Sequence, residues 1–122
     1  RLVEKTGARA WVCEKEPTAG AEPFSPGRAF QIGGLTVETR LTSGHAAGGV
    51  TFFIQGLSQP VAIVGDSMFA GSMGGGMVSY ADALRNNREQ ILTLPDATIV
   101  CSGHGPLTTV GEQKKANPFF TA

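Results

Sequence analysis

The 122-residue chain is poor in the residue types that usually identify a class of protein. It has two histidines, two cysteines, one tryptophan and one tyrosine. Two cysteines give no disulfide framework, so we expect Cys13 and Cys101 to be core thiols of a cytoplasmic protein in a reducing compartment. No apolar run approaches the roughly 20 residues of a membrane-spanning helix, so no membrane partner is expected.

An excess of charge of either sign is also missing. Ten Lys and Arg residues balance ten Asp and Glu residues. A balanced chain does not attract nucleic acid or an anionic membrane through its net charge, and we expect neither as a partner. Ordinary apolar content at this length predicts one modest globular domain over residues 1–122.

Strand and helix patterns alternate along the chain, which predicts an α/β or mixed α+β fold. A glycine closes the last turn of a helix at 2–7, and capping residues begin helices at Ser79, running to about 94, and near Thr109. The segment 14–27 is expected to be a loop. The predicted strands are 10–13, 35–42, 50–55, 61–65 and 98–101.

Polar residues follow three of these strands. His45 follows strand 35–42, Asp66 follows 61–65, and His104 follows 98–101. Catalytic and binding groups of layered α/β folds collect at strand ends, and two imidazoles with a carboxylate are a suitable ligand set for zinc, iron or manganese. The pattern therefore predicts a shared metal site. In the alternative interpretation the histidines are surface or capping residues and Asp66 caps a turn.

Three short segments carry a resemblance to a known family. The segments "TSGHAAG" at 42–48, "VGDSMFAG" at 64–71 and "VCSGHGP" at 100–106 resemble three ordered motifs of the metallo-β-lactamase fold. The ending "LTTVGEQKKANPFF" is similar to the close of short glyoxalase II-like hydrolases. The resemblance runs from about residue 7 to 120. It implies half of an αββα sandwich, with one mixed β-sheet and flanking helices.

The same resemblance implies a site and a reaction. His45 would bind a first divalent metal, His104 a second, and Asp66 would bridge both as the catalytic carboxylate. The metals would be zinc, or iron or manganese, and a hydroxide held between them would hydrolyse a small-molecule thioester or ester. A persulfide-dioxygenase-like enzyme with one iron is the runner-up. It ranks lower because that branch tends to have His-Asp-Tyr where this chain has "HGP" at 104–106.

Further residues near the motifs have two interpretations each. Ser67 and Ser102 are candidates for hydrogen bonds to a metal ligand. Met68, Met73 and Met77 could line an apolar substrate cleft or fill gaps in the core. No residue is singled out for binding substrate.

The family's His-x-His-x-Asp-His motif is absent, and a chain with two histidines cannot contain it. The chain therefore resembles the C-terminal half of the domain, without the N-terminal half. We expect this chain alone to hold no stable dinuclear centre and to be inactive. A non-catalytic truncated product or assembly module is the remaining alternative.

A missing half would leave one side of the sheet without cover. In the family fold two sheets pack face to face, so the inner face would be bare, and we expect it to include Leu35, Val37, Phe53 and Val64. Large apolar patches are unusual on soluble monomers. We therefore expect self-association, or pairing with the missing N-terminal half, and favour self-association.

Overall fold

The computed structural model describes residues 2–121. The four helices of this part are α1 (Leu2–Thr6), α2 (Tyr80–Asn86), α3 (Val110–Ala116) and α4 (Pro118–Thr121), and a π-helical turn (Asn87–Ile91) continues α2. The strands are β1 (Trp11–Cys13), β2 (Glu22–Phe24), β3 (Ala29–Ile32), β4 (Leu35–Leu41), β5 (Val50–Gln55), β6 (Val61–Gly65), β7 (Ile99–Ser102) and β8 (Thr108–Thr109).

One six-stranded mixed sheet organises the molecule. Its strand order is β3-β4-β5-β6-β7-β8, and β1 and β2 form a separate parallel pair. Strands β3 to β6 are antiparallel neighbours, β6 and β7 are parallel, and α2 lies in the connection between them. The predicted mixed sheet with flanking helices is confirmed.

The hydrophobic core lies between one face of this sheet and the helices. Phe53, Ala62, Val64 and Val100 face the helices because successive side chains of a strand alternate between the two faces. The helical and loop residues of the core are Met68, Ile91, Leu94 and Val110, with Leu92 and Phe120 packed beside them.

Two of the four residues expected on the uncovered face are therefore placed wrongly. Phe53 and Val64 belong to the helix-side core, whereas Leu35 and Val37 lie on the opposite face. The reason is the neighbouring residue: Phe52 and Phe53 are both apolar, so the sequence of β5 does not show which one faces the helices. Cross-strand pairing decides it, because Phe53 pairs with the fully buried Ala62.

Element positions depart from the sequence patterns in five places, two of which are the short strand β8 and the short helix α4, which the patterns did not indicate. The predicted loop 14–27 contains β2, and β3 is a strand that the patterns did not indicate. The helix that begins after Ser79 ends at Ile91 instead of about 94, since the chain turns there before Pro95. Both predicted helix caps are confirmed, because Ser79 accepts a hydrogen bond from Asp82 N and Thr109 accepts one from Glu112 N.

Among residues 2–121, no helix combines the length and the apolar character needed to cross a bilayer. The two cysteines in this part are free thiols. Cys13 is buried as expected, whereas Cys101 on β7 is only half-buried, so it is not a full member of the core.

Candidate metal centre

His45, Asp66 and His104 lie in three loops at one edge of the six-stranded sheet. His45 is in the loop between β4 and β5, and Asp66 and His104 follow the parallel strands β6 and β7. Parallel neighbours end at the same edge of a sheet, so Asp66 and His104 are brought together by topology. The structure brings all three predicted site residues together.

Asp66 is the central residue of the group. Its Oδ1 accepts a hydrogen bond from His104 Nδ1 at 2.8 Å, and its Oδ2 lies 3.8 Å from His45 Nε2. The side chains of His45 and Asp66 are 35% and 29% exposed, and that of His104 is 78% exposed. The group is therefore open to water and to small molecules.

The ring of His45 is oriented by the backbone. Its Nδ1 lies 2.8 Å from the carbonyl oxygen of Gly75. A carbonyl can only accept, so Nδ1 carries the proton and donates, and in the neutral ring Nε2 keeps a lone pair directed towards Asp66. Such a hydrogen bond to the second ring nitrogen is typical of metal-binding histidines.

Two glycines allow the backbone to approach Asp66 closely. A Cβ on Gly74 would collide with the carbonyl oxygen of Asp66 and would lie 3.2 Å from His45 Nδ1. A Cβ on Gly103 would collide with Asp66 Oδ1. Glycine at these two positions leaves the space in which the carboxylate and the imidazoles meet.

Buried amides hold the loops to the helix behind them. Asn87 Nδ2 donates to the carbonyl oxygen of Ser67 at 2.8 Å, and Asn86 Nδ2 donates to that of Ser43 at 2.9 Å. Ser67 Oγ in turn donates to the carbonyl oxygen of Thr42 at 3.1 Å. The sequence interpretation missed both asparagines. Their signal is an Asn-Asn pair within an otherwise helical pattern, where amides are unfavourable unless they find partners.

The two candidate serines do not contact the site residues. Ser67 is engaged with Thr42 as described, and Ser102 Oγ donates to the carbonyl oxygen of Met68. Their expected role beside a metal ligand is therefore wrong in this structure. They connect the loops to one another.

The donor set fits parts of two metal shells. Within residues 2–121, no three His, Cys, Asp or Glu side chains surround a single position suited to a metal ion. Instead, each imidazole lies beside a different oxygen of Asp66, which is an arrangement that a bridging carboxylate would use. Zinc sites take three or more protein ligands, so each shell needs additional groups.

The three loops that carry the group contain no charged side chain other than Asp66, and the Glu16 carboxylate accepts a hydrogen bond from Gly48 N in the His45 loop at 3.0 Å. The segments 42–49, 66–79 and 102–107 contain no Lys or Arg. Met77 is 80% exposed and Leu107 is 67% exposed, and the ring of Phe69 meets that of His104 edge-on at 6.1 Å. Met68 and Met73 are buried and fill the core, so only Met77 is available to a substrate.

A groove of about 520 Å³ lies at the other end of the sheet, away from Asp66. The guanidinium of Arg28 lies over the rings of Trp11 and Phe30 at 4.5 and 4.6 Å. Arg9 donates to both oxygens of Glu22, at 2.7 and 2.8 Å. These hydrogen bonds lower the pKa of Glu22 and raise that of Arg9. No site predicted from the sequence lies in this groove.

Comparison with known proteins gives relatives by sequence and neighbours by fold. No family model matches the chain. The chain is 38% identical over 96 residues to the probable metallo-hydrolase YqgX of Bacillus subtilis. This match covers 75% of the present chain and 44% of YqgX. The chain is also 30% identical over 99 residues to the hydroxyacylglutathione hydrolase GloC of Haemophilus influenzae. This second match covers 79% of the present chain and 46% of GloC.

Among solved structures, the BLEG-1 B3 metallo-β-lactamase has a similar fold. The TM-score is 0.84 at 28% identity, over 99% of this chain and 69% of that chain. The present chain spans about half the length of the curated relatives that it matches.

Proposed function

Because the chain belongs to the metallo-β-lactamase superfamily and fits the C-terminal half of its fold, we propose that it supplies part of the active site of a metal-dependent hydrolase. The observation that carries the proposal is the meeting of His45 and His104 at the two oxygens of Asp66. The proposed substrate is a small-molecule thioester or ester.

Each site residue has a separate role in this proposal. His45 and Asp66 would hold one divalent metal, His104 and Asp66 the other, and the metals would be zinc, iron or manganese. Bound divalent metals lower the pKa of water and polarise carbonyl oxygens, which is the chemistry that ester hydrolysis needs. Asp66 contributes the negative charge that two neighbouring cations require.

The remaining residues orient and expose this group. The Gly75 carbonyl fixes the proton of His45 on Nδ1, so that Nε2 is available as a ligand. Gly74 and Gly103 keep side chains out of the space around Asp66. The exposure of His104 leaves a path by which water and substrate reach the site.

The surroundings favour an uncharged substrate group next to Asp66. The three site loops carry no Lys or Arg, and the exposed Met77, whose N–H donates to the same Gly75 carbonyl that holds His45, presents apolar surface there. We propose that an apolar acyl or thiol group of the substrate contacts this surface. The thioester class is supported by the name of GloC, a hydroxyacylglutathione hydrolase of which this chain matches about half.

Further ligands are required to complete either metal shell. Three protein ligands shared between two ions leave each ion with two, and zinc usually takes at least three. We therefore propose that the 122-residue chain is inactive by itself. Activity belongs to a longer form, extended to the length of the relatives.

The test compares variants of that longer form. Replacement His104→Ala removes one imidazole ligand, so we expect loss of metal and a fall of at least about 100-fold in thioester turnover. Lys115→Ala, on an exposed helix end, is the control and should leave both unchanged. Metal content by mass spectrometry and release of free thiol are the readouts.

Two results would contradict the proposal. One is a His104→Ala variant with unchanged metal content and turnover. The other is an iron-loaded form that consumes oxygen with a persulfide substrate and cleaves no thioester, which would favour the dioxygenase alternative.

A further inference from the structure

Hydrogen bonds behind the candidate metal centre close into a ring of five residues, which we call the loop ring. Asn86 Nδ2 donates to the carbonyl oxygen of Ser43 at 2.9 Å, and Asn87 Nδ2 donates to that of Ser67 at 2.8 Å. Ser67 Oγ donates to the carbonyl oxygen of Thr42 at 3.1 Å. The ring closes because Thr42 and Ser43 are neighbours in the chain, as are the two asparagines.

The loop ring joins the two loops that carry His45 and Asp66. Ser43 lies two residues before His45, and Ser67 directly follows Asp66. The asparagines lie where α2 passes into its π-helical continuation, and π-helical turns are frequent at functional sites. The ring is therefore placed to control the distance between Asp66 Oδ2 and His45 Nε2, which is 3.8 Å.

The loop ring is shielded from water. Four of its residues are buried, and Ser43 is half-buried. Hydrogen bonds in such surroundings are electrostatically stronger than in water, and connected ones polarise one another. The ring therefore holds the two loops at one spacing.

Stability alone does not explain the amide of Asn87. Its Oδ1 is buried and has no hydrogen-bond partner among residues 2–121. A buried acceptor without a partner lowers the free energy of unfolding, and an apolar side chain of similar volume would avoid that cost. An apolar side chain would lack the N–H donor that holds the Ser67 carbonyl next to Asp66. The function of this amide is therefore its donation to the loop.

We propose that Asn86 and Asn87 are positioning residues, which use the loop ring to fix His45 and Asp66 at the spacing that binds metal. This inference rests on the proposed metal-dependent function. Each asparagine acts through a loop carbonyl. The hydrogen bonds of the ring act in series, so breaking one of them opens the ring, and a second break should add little.

The test measures the zinc affinity of the longer form by competition with a chromophoric chelator. Asn87→Leu removes the donor at similar volume, and we expect zinc to bind at least about 10-fold more weakly. Asn86→Leu should have the same effect, because it opens the ring at its other end.

Ile91→Val is the matched control. It removes one methylene group from a fully buried side chain of the same π-helical turn and leaves the ring intact. Core truncation of this kind lowers the stability of the metal-free protein. We expect it to leave the zinc affinity unchanged, so the two variants separate positioning from stability.

A double variant tests whether the ring is closed. Ser67→Ala removes the hydroxyl that donates to Thr42 and keeps the carbonyl that accepts from Asn87. It should weaken zinc binding by a similar factor. Combined with Asn87→Leu, it should weaken binding no more than the stronger single change does, whereas independent changes would multiply. If urea unfolding shows that Asn87→Leu does not fold, Ser67→Ala takes its place beside the Ile91→Val control.

Cobalt(II) gives a readout of ligand geometry. At saturating cobalt, the visible absorption bands report how the ligands are arranged around the metal. We expect these bands to shift in Asn87→Leu and to stay unchanged in Ile91→Val.

Three results would overturn the inference while the wild-type longer form still binds zinc. They are an Asn87→Leu variant with wild-type zinc affinity, an equal loss of affinity in Ile91→Val, and effects that multiply in the double variant. In each case the proposed function stands. A wild-type longer form that binds no zinc, iron or manganese would overturn the proposed function, and this inference with it.

Discussion

Asp66 is approached by backbone from two sides, and this shapes the candidate site more than any other single-residue feature. Gly74 and Gly103 both lie where a Cβ would collide with Asp66. The glycine clusters in the sequence predicted close approach of backbone to some group, and the structure identifies that group. Which glycines make the approach could not be read from the sequence, since Gly74, Gly75 and Gly76 look alike there.

Adjacent glycines of this loop should therefore respond differently to substitution. Gly74→Ala forces its Cβ against the Asp66 carbonyl oxygen, so we expect a loss of about 1–3 kcal/mol in the free energy of unfolding. Gly75→Ala is the matched control, because its Cβ would meet only Met77 Sδ at an ordinary 3.5 Å. Urea denaturation of both variants measures the difference, and equal stabilities would show that the loop relaxes freely.

At the level of elements, capping and motif order could be predicted from the sequence, and short strands could not. Ser79 and Thr109 begin their helices as their spacing from Asp82 and Glu112 indicated. Strand β2 was missed because its "EPF" sequence has a charged residue and a proline, and it is held by parallel pairing with β1 and by burial of Phe24. These are tertiary contacts that no local pattern contains.

The cap of α2 matters because this helix and its π-helical continuation carry Asn86 and Asn87, which hold the site loops. Ser79→Ala removes the side-chain acceptor for Asp82 N, and we expect it to lower the free energy of unfolding by about 1 kcal/mol. Ser79→Asp keeps an acceptor and should retain stability. Ser58→Ala, in an exposed turn, is the control. In thermal and urea unfolding, Ser79→Ala should be the least stable of the three variants. If its free energy of unfolding equals that of Ser58→Ala, the cap contributes nothing to stability.

At the level of the whole molecule, one side of the six-stranded sheet packs on the helices, and the other side exposes apolar residues such as Ile32 and Ile63. The resemblance of three motifs and the missing His-x-His-x-Asp-His motif predict an uncovered sheet face and incomplete metal shells, and the metal shells stay a prediction. The facing of individual strands could not be predicted, because apolar residues occupy both sides of β5 and β6. The sequence therefore predicts which loop residues meet better than it predicts which side of the sheet each apolar residue faces.

The central claim is that Asp66 holds two metals at once, and its most direct test is the metal content of the longer form with and without that carboxylate. If Asp66 bridges two metals, the substitution Asp66→Asn should reduce the metal content from two metals per chain to one or fewer. Asp82→Asn, in the first turn of α2 where the carboxylate pairs with Arg85, is the control and should retain two metals. Mass spectrometry of protein dialysed against metal-free buffer gives both numbers. An Asp66→Asn protein that keeps two metals would contradict the account.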